Sequence, residues 1–541
     1  MSASEARAGE VAEGGRPDVW WRVLLALGLA YRIVVSLRPL RWLDGVAIPD
    51  DTYLSLTIAR NIARGLGPLY GTGYTNGFQP LWVFVLAPLY VLIPNDPDAV
   101  LRIGLVLLAL CDAAMALLVC VLVRRFGTSN FAAALVAACW AFNPYFVRVT
   151  AGGLETSLSG LLACAALFQL DAVRRDESER ARPLLLLGFL TGLAFLARVD
   201  NVFLVPVVGI FLIRRPVRAP GAGRRLLRRW SFAGVAATVT VVPWLLYSWA
   251  YTSDLYPVSG RAVRLVSMGD KGIGLDRLWE WRLTLLGVAS RIFFQAHAWL
   301  LGLLAALLAA VLVLARGKLG AFARALDGPS PSLLYGAFLF FAYPLHILAY
   351  WYFNRYYYPL AVPLLLVIGV TAAFLLRLDG VRRAAPALTA AFGIATIAFH
   401  LSRHETGLLF ARDEGPTGYR SVGLWAAQHF SPGTRIGSSQ TGALGYFATD
   451  LVVVNLDGVV NRRCFDSIEA HRNIDYIVDE KIEYVLGWKI NIDFIRFYST
   501  APADDYLEPL GRIHGFRSLG NDWLLYRVRR EVPRRDRGRA P

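Results

Sequence analysis

Two adjacent carboxylates, Asp50 and Asp51, stand just beyond the first apolar run, in Pro49-Asp50-Asp51-Thr52-Tyr53-Leu54-Ser55-Leu56. A carboxylate costs on the order of 2.5–3.5 kcal/mol at the centre of a membrane helix. A pair at a membrane edge therefore reads as a loop bathed in water or as a site that needs negative charge. The chemistry within its reach is to take a proton from a nucleophile or to hold a divalent metal. A helix begins here and Asp is a good N-cap, but capping accounts for one carboxylate more readily than for two.

Other charged residues could serve the same site. Glu155, in Gly152-Gly153-Leu154-Glu155-Thr156, has an equally plain reading as a favourable charge at the start of the next helix. Arg198 and Asp200 could simply pair with each other. Arg355 lies in Tyr350-Trp351-Tyr352-Phe353-Asn354-Arg355-Tyr356-Tyr357-Tyr358-Pro359. By composition this is an interfacial aromatic belt, yet a guanidinium there suits a phosphate, which it grips with two hydrogen bonds. Arg261 and Arg264 follow Asp254 and are similarly placed, with loop solvation as the plain alternative. His297 and His346 lack a second histidine at ligand spacing, and the five cysteines contain no Cys-x-x-Cys. Gly437 to Gly445 is glycine-rich but does not fit a nucleotide-binding pattern, and neither a phosphate-binding Walker loop nor a Ser-x-x-Lys nucleophile is apparent.

These residues need elements to position them. The chain has 541 residues, 56% hydrophobic and 18% charged, which is too apolar for a soluble protein of this length. Apolar runs fall at 19–37, 100–123, 130–149, 155–173, 183–197, 200–214, 231–251, 287–315, 331–350, 357–376 and 384–402. Their lengths approach the ~20 residues that a bilayer requires. Basic clusters follow the second, fourth, sixth, eighth and tenth runs, at Arg124-Arg125, Arg174 to Arg182, Arg214 to Arg229, Arg316 to Arg324 and Arg377 to Arg383. The net charge of +16 is thus a topological signal and does not point to nucleic acid. All five clusters are cytoplasmic if the N-terminus is inside, about eleven spans follow and the C-terminus is outside.

Pro80 to Ile93, fourteen residues by this count, is too short to span and reads as an interfacial or re-entrant helix. The outward segments are then 38–99, 150–156, 197–201, 252–286, 350–357 and everything after His404. Leu54, Ile58 and Ile62 repeat at helical spacing and predict a surface helix, which Gly65 and Gly67 end. The fold class is mainly α, a polytopic transmembrane helical bundle with a C-terminal extracytoplasmic α/β domain. The divisions are a cytoplasmic tail 1–18, a membrane domain 19–403 with first outer loop 38–99, the α/β domain 404–528 and a basic tail 529–541. Within the α/β domain, Thr434–Ser438, Leu451–Leu456, Tyr484–Trp488 and Trp523–Arg527 read as strands, and Ser421–Phe430 and Asp466–Asn473 as helices.

The layout resembles the glycosyltransferase C superfamily, most closely the mycobacterial arabinofuranosyltransferases. The resemblance rests on Asp50-Asp51-Thr52-Tyr53-Leu54-Ser55, Gly73-Tyr74-Thr75-Asn76-Gly77, Gly153-Leu154-Glu155-Thr156 and the outward α/β domain. It implies a glycosyltransferase of the cell membrane. Such an enzyme moves a sugar, here arabinofuranose, from a polyprenyl-phosphate donor to an envelope glycan, lipid or protein acceptor. It further implies Asp50 as general base, Asp51 as its support, cap or metal holder, and Glu155 as a second acidic residue. Arg355, with Arg261 and Arg198, would stabilise the donor phosphate. Tyr53, Asn76, Gln79, Tyr356 and Tyr357 would line the substrate pocket. The protein mannosyltransferases have Asp-Glu where this chain has Asp-Asp, so their acceptors do not carry over. A lipid-linked saccharide flippase is the alternative and would show internal repeats and charges deep within spans.

Overall fold

The computed structural model describes residues 19–176, 180–213, 222–269, 278–347, 354–402, 418–518 and 520–530. The predicted tail 1–18 and all but the first two residues of the tail 529–541 lie outside them. The described parts of all eleven apolar runs are helical. Among the described residues six helices are long and apolar enough to cross a membrane, Val19–Ser36, Pro97–Gly127, Thr156–Arg175, Gly223–Thr252, Trp279–Leu314 and Arg355–Leu375. A seventh span results if Asn130–Ala141 and Pro144–Thr150, bent by 60°, are counted together. The chain is a multi-pass membrane protein, and the expected count of about eleven spans is not confirmed by the described residues. Pro80–Leu92, Ala181–Ala197 and Val199–Ile213 are shorter apolar helices.

Local chemistry sets these breaks. Asn143 precedes Pro144, which has no N–H to continue the helix and holds its neighbour extended. The Asn143 side chain accepts the Tyr145 N–H at 3.0 Å and starts the next helix. Ser129 and Asp96 cap their helices in the same way. Within the bundle, Arg32 is held by the Asp112 carboxylate at 2.6 Å and donates to the carbonyls of Gly28 and Trp140. The Trp140 indole donates to the same carboxylate. Arg32 and Asp112 are 1% and 0% exposed, so this pair joins three helices without touching water.

The C-terminal part is an α/β domain. A two-residue hairpin, β1 (Leu69–Tyr70) and β2 (Gly73–Tyr74), precedes it in the membrane domain's first loop. Its own sheet holds β3 (Arg435–Ser438), β4 (Val452–Asn455), β5 (Tyr484–Gly487), β6 (Leu507–Ser518) and β7 (Asn521–Val528), in the order β4-β3-β5-β7-β6. β3 runs parallel to both β4 and β5, while β7 is antiparallel to β5 and β6. The four expected strands are present to within a residue or two at each end, and β6 was not anticipated. One apolar core joins this domain to the membrane domain, with Tyr53, Tyr70 and Trp82 from one side and Tyr446, Ile436 and Leu444 from the other.

Candidate active site

Asp50 and Asp51 form the first turn of the helix Asp50–Ala63. Successive helical residues are turned about 100° apart, so the two carboxylates point different ways. Asp50 faces the C-terminal domain. One of its oxygens accepts the Gly442 N–H at 2.7 Å and the other the Ala443 N–H at 2.9 Å. It is 6% exposed. Burial pushes its carboxyl up to about 7, against the pull of those two N–H groups. Asp51 faces outward with 45% of its side chain exposed, and its Oδ2 lies 2.5 Å from Arg355 Nη2. Asp50 was expected as the base and Asp51 as its support. Both oxygens of Asp50 accept backbone N–H groups, whereas Asp51 is nearly half exposed and meets a guanidinium.

Arg355 is separated from Asp51 by 304 residues. It stands over one side of the Tyr356 ring, and Arg198 also lies within 5.5 Å of that ring's centre. Arg198 is enclosed by anions, with Glu155 Oε1 at 2.5 Å and Asp200 Oδ2 at 3.0 Å. The Tyr343 hydroxyl donates to Asp200, and its ring stacks on Tyr356 at 5.2 Å. The Arg198–Asp200 pairing read as the plain alternative is therefore present. Glu155 also neutralises this guanidinium, which leaves Arg198 poorly suited to take a phosphate. Arg261 belongs to another pair, 3.0 Å from Asp254, which Arg462 of the C-terminal domain also engages.

The expected pocket residues divide. The Tyr356 ring has both guanidinium groups near it, at 5.5 Å for Arg198 and 5.7 Å for Arg355. Tyr53 is fully buried, donating to Asp44 at 2.8 Å and packing on Tyr446 and Phe447. Asn76 ties the first loop to the next outer segment, accepting the Val258 N–H and donating to the carbonyls of Asp254 and Tyr256. Tyr357 is fully buried among Phe293, Phe340 and Tyr343. All three are buried. Gln79 sits at the N-cap position of Pro80–Leu92, and its buried Oε1 has no hydrogen-bond partner.

Three residues near Asp51 escaped the sequence reading. Asp457, beyond β4, lies close enough for its charge and that of Asp51 to repel, and burial pushes it up to about 6. Tyr419 feels Asp50, Asp51, Asp44 and Arg355 together, and burial raises its hydroxyl far above the usual range. Asp44 accepts the Arg420 N–H at 2.7 Å and is pushed up to about 7 by burial. The only forward signal was Asp457-Gly458, a turn dipeptide after a strand. Among the described residues no three His, Cys, Asp or Glu side chains gather as metal ligands, and a guanidinium already faces Asp51.

The described parts of all six segments expected to face outward meet at this end of the bundle. Thr52 donates to the Gly152 carbonyl at 2.6 Å and Trp82 to that of Gly153 at 3.1 Å. Arg198 grips Glu155, Asn76 holds 254–258, Arg355 grips Asp51, and 441–446 receives Asp50, Arg60 and Tyr70.

Residues 79–247 match the model of a family described as dolichyl-phosphate-mannose-protein mannosyltransferase. Residues 411–527 match a domain of unknown function. No curated protein sequence matches the chain. Among solved structures, ArnT from Cupriavidus metallidurans bound to undecaprenyl phosphate superposes with a TM-score of 0.57 at 11% identity, over 93% of this chain and 98% of that one. The Archaeoglobus fulgidus oligosaccharyltransferase tethered to an acceptor peptide gives 0.50 at 11% identity, over 95% and 75%. A mycobacterial arabinofuranosyltransferase, AftD, gives 0.44 at 14% identity, over 95% and 42%, too weak a likeness to weigh on the sugar. The fold is that of the glycosyltransferase C superfamily, and the chain is a glycosyltransferase.

Proposed function

We propose that this membrane glycosyltransferase moves a sugar from a polyprenyl-phosphate donor to an acceptor hydroxyl, with Asp51 as general base and Arg355 binding the donor phosphate. The observation that carries the reading is the Asp51–Arg355 pair, a proton acceptor and a phosphate binder brought together from distant parts of the chain. The undecaprenyl phosphate bound to ArnT supports the donor class. The alternation of basic clusters supports a site on the extracytoplasmic face of the cell membrane. Arabinofuranose is the sugar we propose, on the short motifs around Asp50-Asp51, Asn76 and Glu155.

The chemistry follows from the pair. In the described state Arg355 occupies the Asp51 carboxylate. A donor phosphate competes for the guanidinium, which grips phosphate at least as well, and its binding frees Asp51. The acceptor oxygen then attacks the anomeric carbon while Asp51 takes its proton. The bond from that carbon to the phosphate oxygen breaks, and its electron pair leaves on the phosphate, where Arg355 stabilises the charge.

In purified protein supplied with decaprenyl-phosphate arabinofuranose, Asp51→Asn should lower transfer by about 10²–10⁴-fold, the usual weight of a general base. The protein should keep its melting temperature. Arg355→Ala should weaken binding of decaprenyl phosphate. An active, folded Asp51→Asn protein would overturn the base assignment. Loss of transfer in Asp50→Asn with unchanged melting temperature would return that role to Asp50.

A further inference from the structure

The C-terminal domain meets the site through the ends of its parallel strands. β3, flanked by β4 and β5 running the same way, places the three carboxyl ends on one edge. Open α/β sheets bind ligands at that edge. Here it faces the segment that carries Asp51. The loop after β3 holds Asp50 through Gly442 and Ala443 and accepts the Tyr70 hydroxyl at the Thr441 carbonyl. The loop after β4 packs so closely on the first outer loop that a Cβ on Gly77 would fall 2.1 Å from the Val459 carbonyl oxygen.

Buried oxygens lacking hydrogen bonds are gathered here. The Ser439 hydroxyl has no partner although the residue is 9% exposed, and the Asn455 side-chain oxygen has none at 1%. Asn455 ends β4 and Ser439 immediately follows the neighbouring end of β3, since Ser438 is in register with Asn455 and Leu456 N donates to the Ser438 carbonyl. The Asn455 amide nitrogen donates to Thr441, and Asp457 follows two residues on with one oxygen accepting the Val459 N–H. Buried oxygens without partners are costly, on the order of 1–3 kcal/mol each. A ligand that brings donors would satisfy them.

We infer that this crevice binds the acceptor as a sugar, with Ser439, Asn455 and Asp457 hydrogen-bonding its hydroxyls and presenting one of them to Asp51. The inference rests on the transferase reading above. A sugar fits better than a peptide because the unsatisfied groups are side-chain oxygens that need several donors at close spacing. Each sugar carbon can supply a hydroxyl, whereas a peptide backbone supplies one N–H per residue. The domain thereby acquires a task, to select the acceptor.

The test uses the full chain in nanodiscs and two separate readouts. Saturation-transfer NMR with methyl glycosides and short neutral oligosaccharides reports on the crevice, and tryptophan quenching by decaprenyl phosphate reports on Arg355. Saturation should reach the ring protons of at least one sugar. Asp457→Asn and Ser439→Ala should each weaken that sugar by about tenfold, the size of one lost hydrogen bond to a buried group. Decaprenyl phosphate affinity should be unchanged in both variants, which also shows that they fold. The inference is overturned if no sugar is contacted, if both variants bind sugar as the parent does, or if a serine/threonine peptide binds with the same dependence on Asp457. If Arg355→Ala leaves decaprenyl phosphate binding intact, the donor-site assignment of Arg355 fails instead.

Discussion

Arg198 and Arg355 show how little a residue type says without its neighbours. Both are arginines beside Tyr356. Arg198 is locked between two carboxylates and is 8% exposed, while Arg355 is 17% exposed and pairs with Asp51, which is nearly half exposed. Removing one partner of a buried ion pair costs about 3–5 kcal/mol, because the other charge is left stranded. Arg198→Ala should therefore lower the melting temperature markedly, whereas Arg355→Ala should spare it and weaken the donor. Thermal unfolding beside lipid-phosphate binding separates the two. The sequence placed both arginines at the outer end and ranked Arg355 first, but it could not show that Glu155, 43 residues away, joins adjacent Asp200 around Arg198. Asp50 and Asp51 were given separate roles without sight of what each one faces. Their difference is a matter of helical direction and of a partner loop some 390 residues on.

Among elements, two contacts bear the most weight. The backbone N–H groups of Gly442 and Ala443 fix the start of the Asp50 helix, and hence the direction of Asp51. A Cβ on Gly442 would lie 2.0 Å from the Asp50 carbonyl oxygen. Gly442→Ala must push the helix away, so transfer should fall together with stability, the latter by about 1–3 kcal/mol. Full activity with an unchanged melting temperature would count against this coupling. In the bundle, Gly28 allows Trp140 to close on Arg32, since an added Cβ would meet that ring at 2.4 Å. Asp112→Ala should strand Arg32 and prevent stable extraction of the protein, measurable as loss of a monodisperse chromatographic peak. A flippase should carry charges deep in its spans, and this pair is one, but it is sealed from any path by its own hydrogen bonds. Hydrophobic runs made the helices legible. The bend at Asn143-Pro144 and the short helices were less so, because run length alone does not tell a broken span from a whole one.

At the scale of the whole molecule, the junction of the two domains carries buried acid. Asp44 and Asp50 are pushed up to about 7 and Asp457 to about 6, all mainly by burial. A carboxyl whose pKa is raised on folding favours the folded state at low pH, and that contribution is lost as pH rises through the folded value. The melting temperature should accordingly climb as pH falls from 8 to 5.5, and Asp44→Asn with Asp50→Asn should flatten the slope. Asp493, held below its usual range by Lys489, acts in the opposite sense only at more acid pH. A melting temperature that falls over that interval would contradict the burial seen here. The two-part architecture could be read from composition, but the junction could not. It is made of loop backbone from one domain and side chains from the other, which leaves no periodic trace in either. The Asp50 clamp has one more consequence, and it concerns time. Translation runs from the N-terminus, and the N–H groups that orient Asp51 are synthesised 392 residues after Asp50. At about 5–20 residues per second, that interval is roughly 20–80 s. Until it ends the Asp51 carboxylate is unaimed, so the enzyme stays silent until Gly442 and Ala443 have been made and have folded against Asp50.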